Sequence, residues 1–249
     1  IEDCWLHDLP FNGIFILAWG SRQRDDQGRL IAPSTKIVLR GNLLHDIAGD
    51  GICLINTQDA LIEHNELYRS CIGQLRGAKT ASAGIWPHTS DGAVIRFNRV
   101  EGLRGERDGQ AFDVDMDCRH TLLQYNLSRN NGTGFLLICS TSDHKEIGPT
   151  RDTIVRDNLS FDDAAEAPGS LVTLVSYVQG VVIQNNVFVI RRAGARRLLR
   201  CAQWMGKTWP QEVVWKNNIL LTAGQFVGEL GSCTGVEFDG NLWQGDTSS

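Results

Sequence analysis

No stretch of this chain is apolar for the roughly 20 residues that a membrane-spanning helix needs, so no such span is expected. No segment holds an apolar period of 3.6 residues over a helix's length, which argues against a helical bundle. Basic residues are in deficit. The 24 Lys and Arg stand against 29 Asp and Glu, for a net charge of −5, which gives no electrostatic footprint for nucleic acid. Seven cysteines are present but none form a CxxC, so neither a zinc ribbon nor a thioredoxin-like site is expected. Cys53, Cys139 and Cys201 fall in strand-like runs and fit the role of small buried hydrophobes. An initiator Met is also missing. The chain starts at Ile1 in mid-repeat and is expected to be part of a longer protein.

What is present is a repeat. An apolar triplet precedes an Asn by three to five positions, as in Thr121-Leu122-Leu123 before Asn126. The same arrangement precedes Asn42, Asn65, Asn98, Asn158, Asn186, Asn218 and Asn241, and Cys4 occupies the Asn slot in a ninth register. The spacings run 38, 23, 33, 28, 32, 28, 32 and 23 residues. A floor near 23 with irregular excess marks a solenoid with insertions in its loops. Each repeat divides into three short strands: one ending at the Asn, a very short one after it, and a third beyond a Gly-containing bend. The expected fold is therefore all-β, a right-handed parallel β-helix of about eight to nine coils, forming one domain over residues 1–249. The Asn series is assigned to the scaffold. Stacked amides can form a hydrogen-bonded ladder, and Asn is expected to take the left-handed backbone at the corner.

The long loops, Ser21–Ser34, Tyr68–Ala83 and Glu101–Gln110 among them, flank the third strand type, so that sheet is expected to carry the groove. Strand alternation divides its residues. Ile14, Ile16, Ile52, Leu54, Phe112, Val114, Met116, Phe135 and Leu137 are expected inward. Outward stand Trp19, Trp86 and His88, then Asp113, Asp115 and Asp117, then Leu136, Ile138 and Ser140, then Tyr177, Arg200 and Trp204.

Three carboxylates on one face of one strand repel one another, and fold stability has no use for them. Residues i and i+2 on a strand have Cα atoms roughly 6.5–7 Å apart. Inverting glycosidases hold their two carboxyls about 6.5–9.5 Å apart, with one as acid and one as base. Asp113, Asp115 and Asp117 are therefore candidate catalytic residues, with His88 predicted one coil earlier at the register of Asp115. The same carboxylates suit a Ca²⁺ ion, or form a solvated acidic strand. Trp86, Trp19, Trp204 and Tyr177 suit stacking on sugar rings, or pack under loops as a secondary core. Arg200 suits an acidic sugar's carboxylate, or pairs with an Asp.

The apolar pair before each Asn, with entries such as Asp50-Gly51-Ile52 and Gly134-Phe135-Leu136, resembles the repeat of the pectate-lyase-like superfamily of parallel β-helices along essentially the whole chain. Asp108–Cys139 is similar to a block seen in bacterial β-helix repeat proteins. The resemblance implies a secreted or periplasmic protein acting on a polysaccharide or oligosaccharide laid along the groove sheet. The NTD and RIK motifs of polygalacturonases, the RxPxxR of pectate lyases and the DPHD of alginate epimerases are absent, so no catalytic residue is carried over. The leading expectation is a glycoside hydrolase using an Asp pair. A lyase, with Ca²⁺ or basic residues in the groove, is the second. The third is a non-catalytic carbohydrate-binding or tailspike-type β-helix. No further cofactor is expected, and the oligomeric state is left open.

Overall fold

The computed structural model describes residues 1–18, 23–73, 81–105, 108–142, 147–164, 166, 169–204 and 206–246. All named strands pair in parallel, and no α-helix occurs among the described residues. Eight strands ending at the Asn corner, from Val38–Arg40 to Thr234–Asp239, stack in chain order as one sheet. The groove strands stack beside it: Ile14–Leu17, Ile52–Ile55, Ile85–His88, Gln110–Val114, Gly134–Ser140, Ser170–Ser176 and Ala195–Ala202. The short strands after the Asn form the third stack. In the coil after Asn218 the short strand and the groove strand merge into one long strand, Ile219–Glu229, which joins the two stacks near that end.

The Asn ladder holds the corner. Asn42, Asn65, Asn98, Asn126, Asn158, Asn186 and Asn218 each donate from Nδ2 to the Oδ1 of the next Asn, at 2.8–3.0 Å. The same Oδ1 atoms also accept from the backbone N–H of the preceding coil's Asn. Cys4, in the Asn slot, donates its backbone N–H to Asn42 Oδ1 but adds no amide. One expectation is corrected here. The left-handed residue is the one before each Asn: Gly41, His64, Phe97, Tyr125, Asp157, Asn185, Asn217 and Gly240, with φ between 55° and 66°. That backbone turn swings the following Asn side chain inward, where its amide can reach the next coil. It also projects the left-handed residues outward, so that His64, Phe97 and Tyr125 stack on the surface with centroids 5.1 and 5.2 Å apart.

The glycine that opens many groove strands has a packing reason. A Cβ on Gly13 would lie 2.6 Å from the carbonyl oxygen of Gly51, and one on Gly51 equally close to that of Gly84. Coils stacked about 4.8 Å apart leave no room for a side chain at that bend. The interior is a column of aliphatic residues with an aromatic spine: Phe112, Phe135, Phe188 and Trp215 sit ring to ring at 5.6–5.8 Å.

Candidate active site

Strand register fixes which side chains meet on the groove sheet. Ile85 aligns with Phe112, and His88 with Asp115. Trp86 therefore stands one rung from Asp113, on the same outer face. In the next coil Asp113 aligns with Leu137 and Val114 with Ile138, which puts Cys139 beside Asp115. The contact is direct, since Cys139 Sγ donates to Asp115 Oδ1 at 2.8 Å.

Asp113 is buried, with 5 % of its surface exposed, and its Oδ1 accepts no hydrogen bond. Burial first, then the charges of Asp115, Asp108 and Asp50, push its pKa well above the usual carboxylate range. Asp115 is half-buried. His88 is 6 % exposed, with Nδ1 2.7 Å from Thr89 Oγ1 and its ring 6.3 Å from the Trp86 ring. Trp86 in turn donates from Nε1 to Asp50 Oδ1 at 2.9 Å, and Asp50 also accepts from the backbone of Ala83. Burial raises the Asp50 pKa as well. The result is a compact acidic cluster floored by an indole, an imidazole and a thiol. It raises the pKa of one buried carboxyl beside another that is open to solvent on one side.

The structure brings together four of the sequence candidates: Asp113, Asp115, His88 and Trp86. Four others lie elsewhere. Asp117 is not on the groove strand, which ends at Val114; Met116 and Asp117 turn the corner with φ of 29° and 56°. Asp117 is 1 % exposed and paired with Arg24 and Arg119. Arg200 shares the outer column of Asp113 but is three rungs away, through Leu137 and Thr173, or about 14 Å, with Glu229 at 3.6 Å. Tyr177 lies at the corner after Ser170–Ser176, and Trp204, 45 % exposed, on the turn after Ala195–Ala202. Trp19 lies outside the described residues, as do positions 74–80 and 106–107 of the flanking loops.

Strand Gly134–Ser140 runs one residue out of step with the expectation. Leu136 and Ile138 face the core, while Leu137 and Cys139 face outward and form a small apolar cluster with Val175 and Ala202. Three members of the site were therefore missed by sequence reasoning: Asp50, Asp108 and Cys139. Asp108 is half-buried, and its charge raises the pKa values of Asp113, Cys71 and Cys139 together. The signal for Cys139 was present, as counting coil offsets rather than apolarity puts it beside Asp115.

No family model matches the chain. Over 119 residues it is 31 % identical to a lacto-N-biosidase of Bifidobacterium longum subsp. longum, covering 43 % of this chain and 7 % of that protein. Solved structures resemble it as well. A GH136 lacto-N-biosidase from Eubacterium ramulus matches with a TM-score of 0.51 and 22 % identity over 81 % of this chain and 27 % of that one. A hyperthermoactive exopolygalacturonase from Thermotoga maritima matches with a TM-score of 0.57 and 13 % identity over 84 % and 53 %. The chain has the right-handed parallel β-helix fold. This β-helix spans less than two thirds of each of these relatives.

Proposed function

We propose that this β-helix carries the active site of a glycoside hydrolase, with Asp113 and Asp115 as its acid and its nucleophile or base. The observation behind the proposal is the unlike state of two neighbouring carboxyls. Asp113 is buried and its pKa is raised, while Asp115 is half-exposed and receives a thiol hydrogen bond. In the reaction Asp113 gives its proton to the glycosidic oxygen as the bond from that oxygen to the anomeric carbon breaks. Asp115 either takes a proton from the water that attacks that carbon, or attacks it directly. Trp86 offers a half-buried ring to one sugar face, and His88 a group that can bond a hydroxyl. The sequence likeness to a lacto-N-biosidase supports a glycosidic bond as the target.

A second assignment rests on exposure. Asp108 is more open than Asp113 and belongs to the same cluster, so it can serve as the partner of Asp115 while Asp113 tunes the pair. The purified protein is tested on neutral and uronic-acid oligosaccharides, following reducing ends and unsaturated products. Release of reducing ends without unsaturated product is expected. Unsaturated product would replace the hydrolase by a lyase, and neither product would leave a binding module.

A further inference from the structure

Two of the seven cysteines meet several coils from the groove carboxyls. Cys201 lies on groove strand Ala195–Ala202, 2 % exposed, with its side chain in the core. Val114, Ile138, Leu174 and Cys201 align through successive coils as one interior column. Arg200 pairs with Glu229, which puts Leu230 beside Cys201 in the coil after Asn218. There the chain turns back. The backbone N–H of Cys233 donates to Leu230 O at 3.0 Å, and Gly231 takes a left-handed φ of 53° to close the turn. Trp209 packs against that turn, since a Cβ on Gly231 would lie 2.3 Å from its ring. The turn returns Cys233 to the end of the core, where it packs beside Leu230 on the cluster that contains Cys201.

The two side chains touch. Both thiols are free, and they share a hydrogen bond. Thiols in contact reach the S–S bond length of about 2.0 Å by side-chain rotation with a small backbone shift. The pair is unequal in a useful way. Cys233 is half-buried, so a reagent reaches it from solvent, while Cys201 is sealed behind it. Their hydrogen bond lowers the Cys233 pKa and raises that of Cys201. The accessible sulfur is therefore the one that ionises first, and the thiolate is the attacking species in disulfide exchange. Cys71, Cys118 and Cys139 differ: burial, and after it groups other than a second thiol, shift each of them.

We propose that Cys201 and Cys233 form a disulfide that fastens the coil after Asn218 to the groove strand before it. The oxidant is a small-molecule disulfide of the glutathione class. The Cys233 thiolate attacks one of its sulfurs and releases one small thiolate, which takes a proton from water. The Cys201 sulfur then attacks the Cys233 sulfur of the mixed disulfide, and its proton leaves with the second small thiol. Two protein thiols and one small disulfide become one protein disulfide and two small thiols. The bond closes a loop of about 30 residues, which removes freedom from the unfolded chain. That loop includes Trp209, Asn218 and the long strand Ile219–Glu229.

The test equilibrates the purified protein with reduced and oxidised glutathione at a series of ratios. Each sample is then denatured and alkylated, and its peptides are mapped by mass spectrometry without reduction. Oxidised samples should lose two hydrogens, block alkylation of Cys201 and Cys233, and yield one peptide pair joining them. A thiol reductant should reverse all three. The oxidised form should melt roughly 5–10 °C above the reduced one. Cys233→Ser should lose the linked peptides and the melting shift. Cys4→Ser, which removes the exposed thiol of the first coil, should keep both. The wild-type map stands by itself if either variant folds poorly. Three results would overturn the pairing: both thiols still open to alkylation at the most oxidising ratio, a glutathione adduct on Cys233 that goes no further, or a bond from either residue to another cysteine. An unchanged melting temperature with the bond formed would overturn its role as a fastening.

Discussion

At the scale of single residues, the site depends on how burial divides like groups. Asp113 and Asp115 are two positions apart, but one is buried and the other half-open, and burial raises the pKa of Asp113. A pH profile follows. If Asp113 is the acid, activity requires its protonated form and is lost as pH rises through its raised pKa. Asp50 contributes to that rise through its charge. Asp50→Asn keeps an Oδ1 acceptor for Ala83 and Trp86 but removes the charge, so Asp113 should lose its proton at lower pH. The alkaline limb of kcat/KM is expected to move toward acid, and an unmoved limb would take Asp113 out of the acid role. Asp113 and Asp115 were legible in the sequence because three Asp at alternate positions have no place in an ordinary strand. Asp50 was not, because its role comes from the coil after it, through Ala83 and Trp86. Asp117 misled because alternation assumes a continuing strand, and two left-handed residues ended this one.

At the scale of elements, the Asn ladder and the groove strands answer to different rules. The ladder was legible because its spacing repeats, although the left-handed position had to be moved to the residue before it. Gly134–Ser140 was not legible, since every residue in Phe135–Cys139 is apolar and alternation then carries no information. Only the pairing with Gln110–Val114 sets its register. The ladder's energetic weight can be measured. The Asn126 side chain accepts from the backbone and side chain of Asn98 and donates to Ile95 O, Gln124 O and Asn158 Oδ1. Asn126→Ala strands several buried groups at once and should cost roughly 2–4 kcal/mol in urea unfolding. A loss below about 0.5 kcal/mol would mean that strand pairing alone holds the corner.

At the scale of the molecule, two groups of carboxyls pull stability in opposite directions with pH. Asp50, Asp113 and Asp163 are raised by burial; Asp163, enclosed by Ser128, Ser160 and Asn131, is pushed up to about 6. The folded state then holds more protons than the unfolded chain from the unfolded value of 3.8 up to these raised values, so stability falls as pH rises through that window. Asp46, Glu63 and Asp162 are lowered, through partners that include Arg69, Arg96, Arg40 and Arg191, so their contribution disappears only as pH falls below the ordinary carboxylate range. The melting temperature is therefore expected to peak at mildly acidic pH, near 4–5, and to decline toward neutrality. A monotonic rise from pH 4 to pH 7 would contradict this balance.

The assignment of chemistry to the groove strand is tested most directly by a cleavage assay on one hydrolysed oligosaccharide, with Asp113→Asn, Asp115→Asn and Asp108→Asn made separately. Loss of Asp115 should reduce turnover at least a hundredfold, with one of the other two falling comparably and naming the acid. Full turnover in Asp115→Asn would place the chemistry elsewhere on the β-helix.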